Sequence, residues 1–480
     1  MIDNMLFNSW EFVALVIVTF SVYYLPLGKR WQIYTLLVSS LVFYAVDSFW
    51  LLLLLLASGL VNALSSYMAR YQGHPRLFAT IGVVSNLLLL FLFKYGGLLS
   101  KSFLEGDTEL GHFLCVLPLP LGISFYTFSG ISLVVDAYKD RLNSNLNLDS
   151  RPSLLIYIRD TLLYICFFPK LLAGPIAKSR AFFADINVKQ LRNIDWQFVF
   201  NSLVVGYFLK MVIADNLKDF TFWLPIRYSG YMGSGSLLTL VFGYSVQMFA
   251  DFAGYSLIAI GIAALFGYRL PDNFNYPYIS KSFREFWKRW HITLSQFLME
   301  YLYISLGGNR KGKLRTYINL QLTMMLGGLW HGAAWNFLMW GTYHGLCLVV
   351  ERVLCGKRDY CLNFGTNWFT TRCSHAFSML FVFIMVSFGW LLFKLSLGET
   401  LHLICAIVTN WGKPLFFEMR FFPVFIYMLP VIFYHFVYLL REKKWIQQYV
   451  FRYKYVFYGL MLFLILTNSG SVSQFVYFQF

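Results

Sequence analysis

TYINLQLTMMLGGLWHGAAWNFLMWGTYHGLCLVV, residues 316–350, runs without a single Asp, Glu, Lys or Arg. Basic residues stand on both sides of it, Arg315 before and Arg352, Lys357 and Arg358 after. A helix that crosses a bilayer needs about 20 mostly apolar residues, so this run is long enough to enter a membrane and turn back. Lys and Arg concentrate in cytoplasmic loops. With such residues at both ends, the run is expected to be re-entrant, with its midpoint near Trp330-His331-Gly332. Non-helical backbone at membrane depth is tolerated only inside protein or beside a watery cavity. A chain that buries such a turn is a polytopic membrane protein.

The composition points the same way. Of 480 residues, 58% are hydrophobic and 13% charged, and the mean hydropathy is +0.58. Soluble proteins are about 45–50% apolar and about 25% charged. These values exclude a disordered chain and an ordinary cytosolic enzyme. In a soluble protein the net charge of +16 would suggest nucleic acid. Here the basic residues lie between apolar runs, so topology accounts for them and no nucleic-acid partner is expected.

The same reading extends outward from residues 316–350. Apolar runs at 10–27, 31–46, 49–69, 77–99, 113–135, 196–214, 237–266, 376–395, 421–440 and 455–473 are each expected to cross. Basic loops alternate with acidic ones: Arg70, His74 and Arg76 precede one run, and Glu105, Asp107 and Glu109 follow it. Residues 154–175 have basic residues on both sides and are broken by Pro169 and Gly174-Pro175, so they are expected to be re-entrant or interface-lying. Residues 269–315 hold nine Lys/Arg against three Asp/Glu and should be a cytoplasmic basic amphipathic segment. The expected architecture is an all-α polytopic membrane protein forming one membrane domain over residues 1–480. It has roughly ten transmembrane helices, with re-entrant and interfacial helices among them.

Two histidines stand out. His331 sits in LGGLWHGAAWNF, residues 326–337, at the middle of the re-entrant run. An ionisable group at membrane depth marks a functional site by default, and Gly327, Gly328 and Gly332 allow close approach. The bland reading is a buried imidazole tied to a backbone carbonyl. His291 lies in SFREFWKRWHITLSQFL, residues 282–298. On one continuous helix Phe283, Trp287, Trp290, Leu294, Phe297 and Leu298 make an apolar arc. Arg284 and Lys288 lie opposite, and His291 falls on the seam. An interfacial helix with snorkelling basic side chains explains the charges better, while for His291 the two readings are nearly even. Asp251 reads as a lone acid, and no paired intramembrane carboxylates are evident. There is no Walker loop, GxSxG or HExxH. A secondary transporter or a scaffold is the non-enzymatic alternative, weakly supported without matching broken half-repeats.

Several longer motifs carry a family resemblance. They are MLFNSWEF (5–12), LPLGISFYTFSGISLVVDAY (119–138), FFPKLLAGPI (167–176), PDNFNYPYISKSFREFWKRWHITLSQFL (271–298), YLYISLGGNRKG (301–312), GGLWHGAAWNFLMWGTYHG (327–345) and the closing VYFQF. With them the chain resembles the membrane-bound O-acyltransferase superfamily, and within it the branch of bacterial alginate O-acetyltransferase membrane proteins. It departs from the branch pattern at Met299, Glu300 and Ser305, where Arg, Asp and Pro are usual. The resemblance implies helices around a central tunnel, with His331 as the catalytic histidine and His291 as the second signature histidine. It implies no metal and no bound cofactor. The donor is a cytoplasmic acyl thioester, acetyl-CoA or another, with Arg284, Lys288 and Arg310 as candidate contacts for its anionic part. The acceptor is an exported polysaccharide such as alginate, acylated directly or through a periplasmic or extracellular serine-hydrolase-like partner. The location implied is the bacterial inner membrane. Sister branches imply two alternatives, D-alanyl transfer to teichoic acid and O-acylation of peptidoglycan. The chemistry suits a histidine: moving an acyl group to a hydroxyl requires a base with a pKa near the working pH, and a dry site strengthens the dipoles that stabilise an oxyanion.

Overall fold

The structure is a computed structural model that describes residues 5–26, 31–46, 48–103, 108–143, 151–356, 368–413, 421–441, 443–471 and 475. Glu105, Asp107, Lys357, Arg358 and the closing VYFQF lie outside the described residues. Among the described residues all regular structure is helical, as expected where the surroundings offer the backbone no water. Six helices among the described residues are long and apolar enough to cross a membrane: Phe49–Tyr71, Pro75–Ser102, Trp196–Thr221, Ser234–Leu265, Thr370–Lys394 and Phe422–Leu439. Trp10–Tyr23, Trp31–Ala45 and Leu397–Thr409 are apolar but shorter. The expected ten crossings are thus six full-length helices and a set of shorter or more polar ones. Apolar side chains such as Phe425, Leu429, Ile432 and Phe436 are exposed along Phe422–Leu439. A soluble surface does not tolerate such a stripe, but lipid does.

The chain divides into two compact units, residues 1–203 with 256–271, and residues 204–255 with 272–480. In the first, Phe49–Tyr71, Pro75–Leu90 and Ile123–Asn143 pack on one another. Asn86 Nδ2 donates to Asn62 Oδ1 at 2.7 Å inside this contact, the kind of polar bond that joins helices where hydrophobic driving force is absent. Gly130 makes room for it, since a Cβ there would stand 2.5 Å from Asn62 Oδ1. Residues 154–175 fold as Leu154–Cys166 and a single turn Phe168–Leu171, interrupted where the prolines and Gly174 stand.

Two features organise the second unit. The first is a helical hairpin: Lys313–His331 and Trp335–Cys355 lie against each other and are joined through Gly332-Ala333-Ala334. Glycines set their spacing. A Cβ on Gly328 would stand 2.3 Å from the Phe337 carbonyl oxygen, and one on Gly341 2.3 Å from that of Met324. The turn therefore falls directly after His331.

The second feature is an ion cluster that the sequence did not reveal. Within Trp196–Thr221 the turn Phe208–Ala214 is π-helical. Lys210 Nζ there lies 2.6 Å from Asp215 Oδ1 and 2.8 Å from Asp251 Oδ1, and all three side chains are buried. Asp251 is therefore not a lone acid, and paired carboxylates do occur in an apolar setting. Gly254 brings the helices together: a Cβ there would stand 2.8 Å from the Gly206 carbonyl oxygen. Asp251, Gly254 and Tyr255 share one face of Ser234–Leu265 by their spacing. Phe252 looks another way, toward His291.

Candidate active site

His331 is the last residue of Lys313–His331, and Gly332 leaves it in extended conformation. No side chain fits at Gly332, because its Cβ would stand 2.2 Å from a ring carbon of Phe337. The turn thus delivers His331 into an aromatic enclosure. Its ring centroid is 5.0 Å from Trp340, 5.1 Å from Trp330 and 5.3 Å from Phe393. Only 4% of the residue is exposed.

His291 does not lie on the seam of one amphipathic helix. The segment breaks into Phe283–Arg289 and Ile292–Phe297, and His291 stands between them with φ 42° and ψ 56°. Backbone pairing from a distant strand of chain causes the break. Asn275 N–H donates to the Arg289 carbonyl and Ile292 N–H to the Asn273 carbonyl, each at 2.9 Å, in place of helical bonds. The break turns His291 inward, and none of it is exposed. Phe252 packs on it edge-on at 4.6 Å. Burial pushes its imidazole down to about 3, so His291 is neutral at physiological pH.

The two histidine rings lie 6.3 Å apart, centroid to centroid. Both stand in one enclosure of Trp, Phe and His rings. The basic candidates are not gathered there. Arg284 is half-buried, Lys288 and Arg310 are exposed, and the Phe283 and Arg284 amides are capped by the Glu351 carboxylate at 2.5 and 3.2 Å. Among the described residues no cluster of three or more His, Cys, Asp or Glu side chains is arranged to hold a metal ion. Asn273, whose side-chain oxygen faces His291 and whose backbone carbonyl accepts from Ile292 N–H, drew no attention in the sequence. Its only signal is its place in the PDNFNYPY stretch.

The model of the membrane-bound O-acyltransferase family matches residues 38–398, a span that contains both histidines. The chain belongs to the membrane-bound O-acyltransferase family. It is accordingly a multi-pass membrane O-acyltransferase. It is similar to the "Probable alginate O-acetylase" of Pseudomonas aeruginosa, with 35% identity over 404 residues covering 81% of this chain and 72% of the relative. Similarity to the peptidoglycan O-acetyltransferase of Helicobacter pylori is 34% over 382 residues, 75% of this chain and 70% of that one. The teichoic acid D-alanyltransferase of Bacillus subtilis is 28% identical over 399 residues, 78% of this chain and 93% of that one.

Proposed function

We propose that this acyltransferase moves an acetyl group from a cytoplasmic thioester, acetyl-CoA, to hydroxyls of an exported polysaccharide such as alginate. The observation that carries this reading is the facing of His331 and His291 in a buried aromatic enclosure, in a chain of this family. His331 takes the proton of the acceptor hydroxyl as its oxygen attacks the thioester carbonyl. The new C–O bond forms, the C–S bond breaks, and the leaving sulfur receives a proton to depart as a thiol. His291 orients the substrate. The hairpin of residues 313–355 is re-entrant from the cytoplasmic side and carries His331 to the tunnel that joins donor and acceptor. Arg284, Lys288 and Arg310, on the cytoplasmic side, attract the anionic donor. Transfer to the polymer is direct, or a serine-hydrolase-like protein outside the inner membrane completes it. Peptidoglycan is the second reading of the acceptor, because the relative so named matches nearly as well as the alginate relatives.

Deleting the gene and measuring ester-linked acetyl on each surface polymer distinguishes these readings. Acetyl should vanish from an exported polysaccharide and return with the wild-type gene. Loss from peptidoglycan alone would move the assignment to the second reading, and unchanged acetylation of every polymer would contradict both.

A further inference from the structure

His291 and Thr293 share one hydrogen-bond partner, and that partner fixes the chemistry of the imidazole. The backbone N–H of Thr293 donates to Asn273 Oδ1 at 3.4 Å, and the Thr293 hydroxyl donates to it at 2.6 Å. A backbone N–H is only ever a donor, so the Asn273 atom facing this site is its carbonyl oxygen and not its amide nitrogen. His291 Nδ1 lies 3.3 Å from the same oxygen. An oxygen that accepts from Thr293 can only accept from His291 as well, so Nδ1 must carry the proton. A neutral imidazole has one N–H. Nε2, buried on the other edge of the ring, therefore holds the lone pair.

The backbone strengthens the lock. Ile292 N–H bonds to the Asn273 carbonyl, and Asn275 N–H bonds to the Arg289 carbonyl, so the two chain segments are clamped on either side of His291. The left-handed backbone at His291, with φ 42°, is one that non-glycine residues seldom adopt, and the clamp holds it there. Ring position and ring tautomer thus have one origin.

We propose that Asn273 is a positioning residue that holds His291 in the Nδ1–H tautomer, so that His291 meets substrate as a hydrogen-bond acceptor. This rests on the two-histidine acyl-transfer reading above and divides the labour within it. In this tautomer neutral His291 has no N–H to offer a developing oxyanion. Its substrate partner is an O–H or N–H group beside the hydroxyl that His331 deprotonates, as a polyhydroxylated acceptor supplies. The titratable neighbour that shares its enclosure is His331, on the hairpin. Phe252, from Ser234–Leu265, and Trp330, also on the hairpin, carry no charge.

The test uses full-length protein in lipid nanodiscs with ¹⁵N-labelled histidine, the His291 signal being assigned by its loss in His291→Gln. Wild type should show a protonated Nδ1 and a bare Nε2. Asn273→Asp keeps an acceptor oxygen in place and should keep that pattern. Asn273→Leu removes the acceptor and should lose it. With labelled acetyl thioester, kcat of Asn273→Leu should fall about 10- to 100-fold, by analogy with partners that orient metal-binding histidines. KM for the thioester should stay close to wild type, and Asn273→Asp should recover much of kcat. Protonated Nε2 in the wild type would overturn the proposal even if Asn273→Leu fails to fold. An unchanged tautomer or an unchanged kcat in a folded Asn273→Leu protein would overturn it too. Failure of the acyl-transfer reading is distinct, because the wild type would then transfer no acetyl while its tautomer remained measurable.

Discussion

Lys210→Met should destabilise the protein by about 3–5 kcal/mol, the usual cost of removing one partner from a buried ion pair. The amine lies within 2.8 Å of two buried carboxylates. Taking it away leaves Asp215 and Asp251 beside each other without their shared cation, in surroundings where charge is expensive. Met fills nearly the same volume, so the loss is electrostatic and not one of packing. The cluster joins Trp196–Thr221 to Ser234–Leu265, and the latter also supplies Phe252 to His291. Thermal unfolding in detergent and the yield of monodisperse protein measure the effect. A triple variant with Asp215→Asn and Asp251→Asn should recover most of the loss, because neutral amides need no counter-charge. A Lys210→Met protein as stable as wild type would show that the cluster does not hold these helices together.

His331→Ala should cut acyl transfer about 10²- to 10⁴-fold, the contribution typical of a general base, while the protein still inserts and folds. The substitution leaves space in the enclosure of Trp330, Trp340 and Phe393. The hairpin's glycine seam at Gly328 and Gly341 is untouched. Ester-linked acetyl on surface polymer, measured at matched protein levels, reads the effect. Near-normal acetyl content would remove His331 from the base role.

Much of this was legible in the sequence. Long apolar runs with charged ends have one stable form in a membrane, so the helices at 49–71, 234–265 and 370–394 could be read from hydropathy. The turn after His331 could be read too, because glycines and basic flanks bracket it. Three things were hidden, each for a physical reason. The break at His291 comes from backbone bonds made by Asn273 and Asn275, which a helical wheel over residues 282–298 cannot include. Lys210 and Asp215 meet across a π-helical turn, a spacing that the ordinary helical period does not bring together. Asp251 looked solitary because its cation lies on another helix. Leu397–Thr409, a 13-residue apolar helix, was missed because it is too short to stand out by hydropathy.

The pairing of His331 with His291 is tested most directly by acetyl transfer from labelled acetyl thioester to a hydroxyl acceptor, using purified wild type, His331→Ala, His291→Ala and the double variant. Groups that act as a unit give non-additive losses. With rings 6.3 Å apart in one enclosure, each single variant should be impaired and the double variant should be little worse than His331→Ala alone. Full activity in His291→Ala, or losses that multiply in the double variant, would contradict a shared two-histidine site.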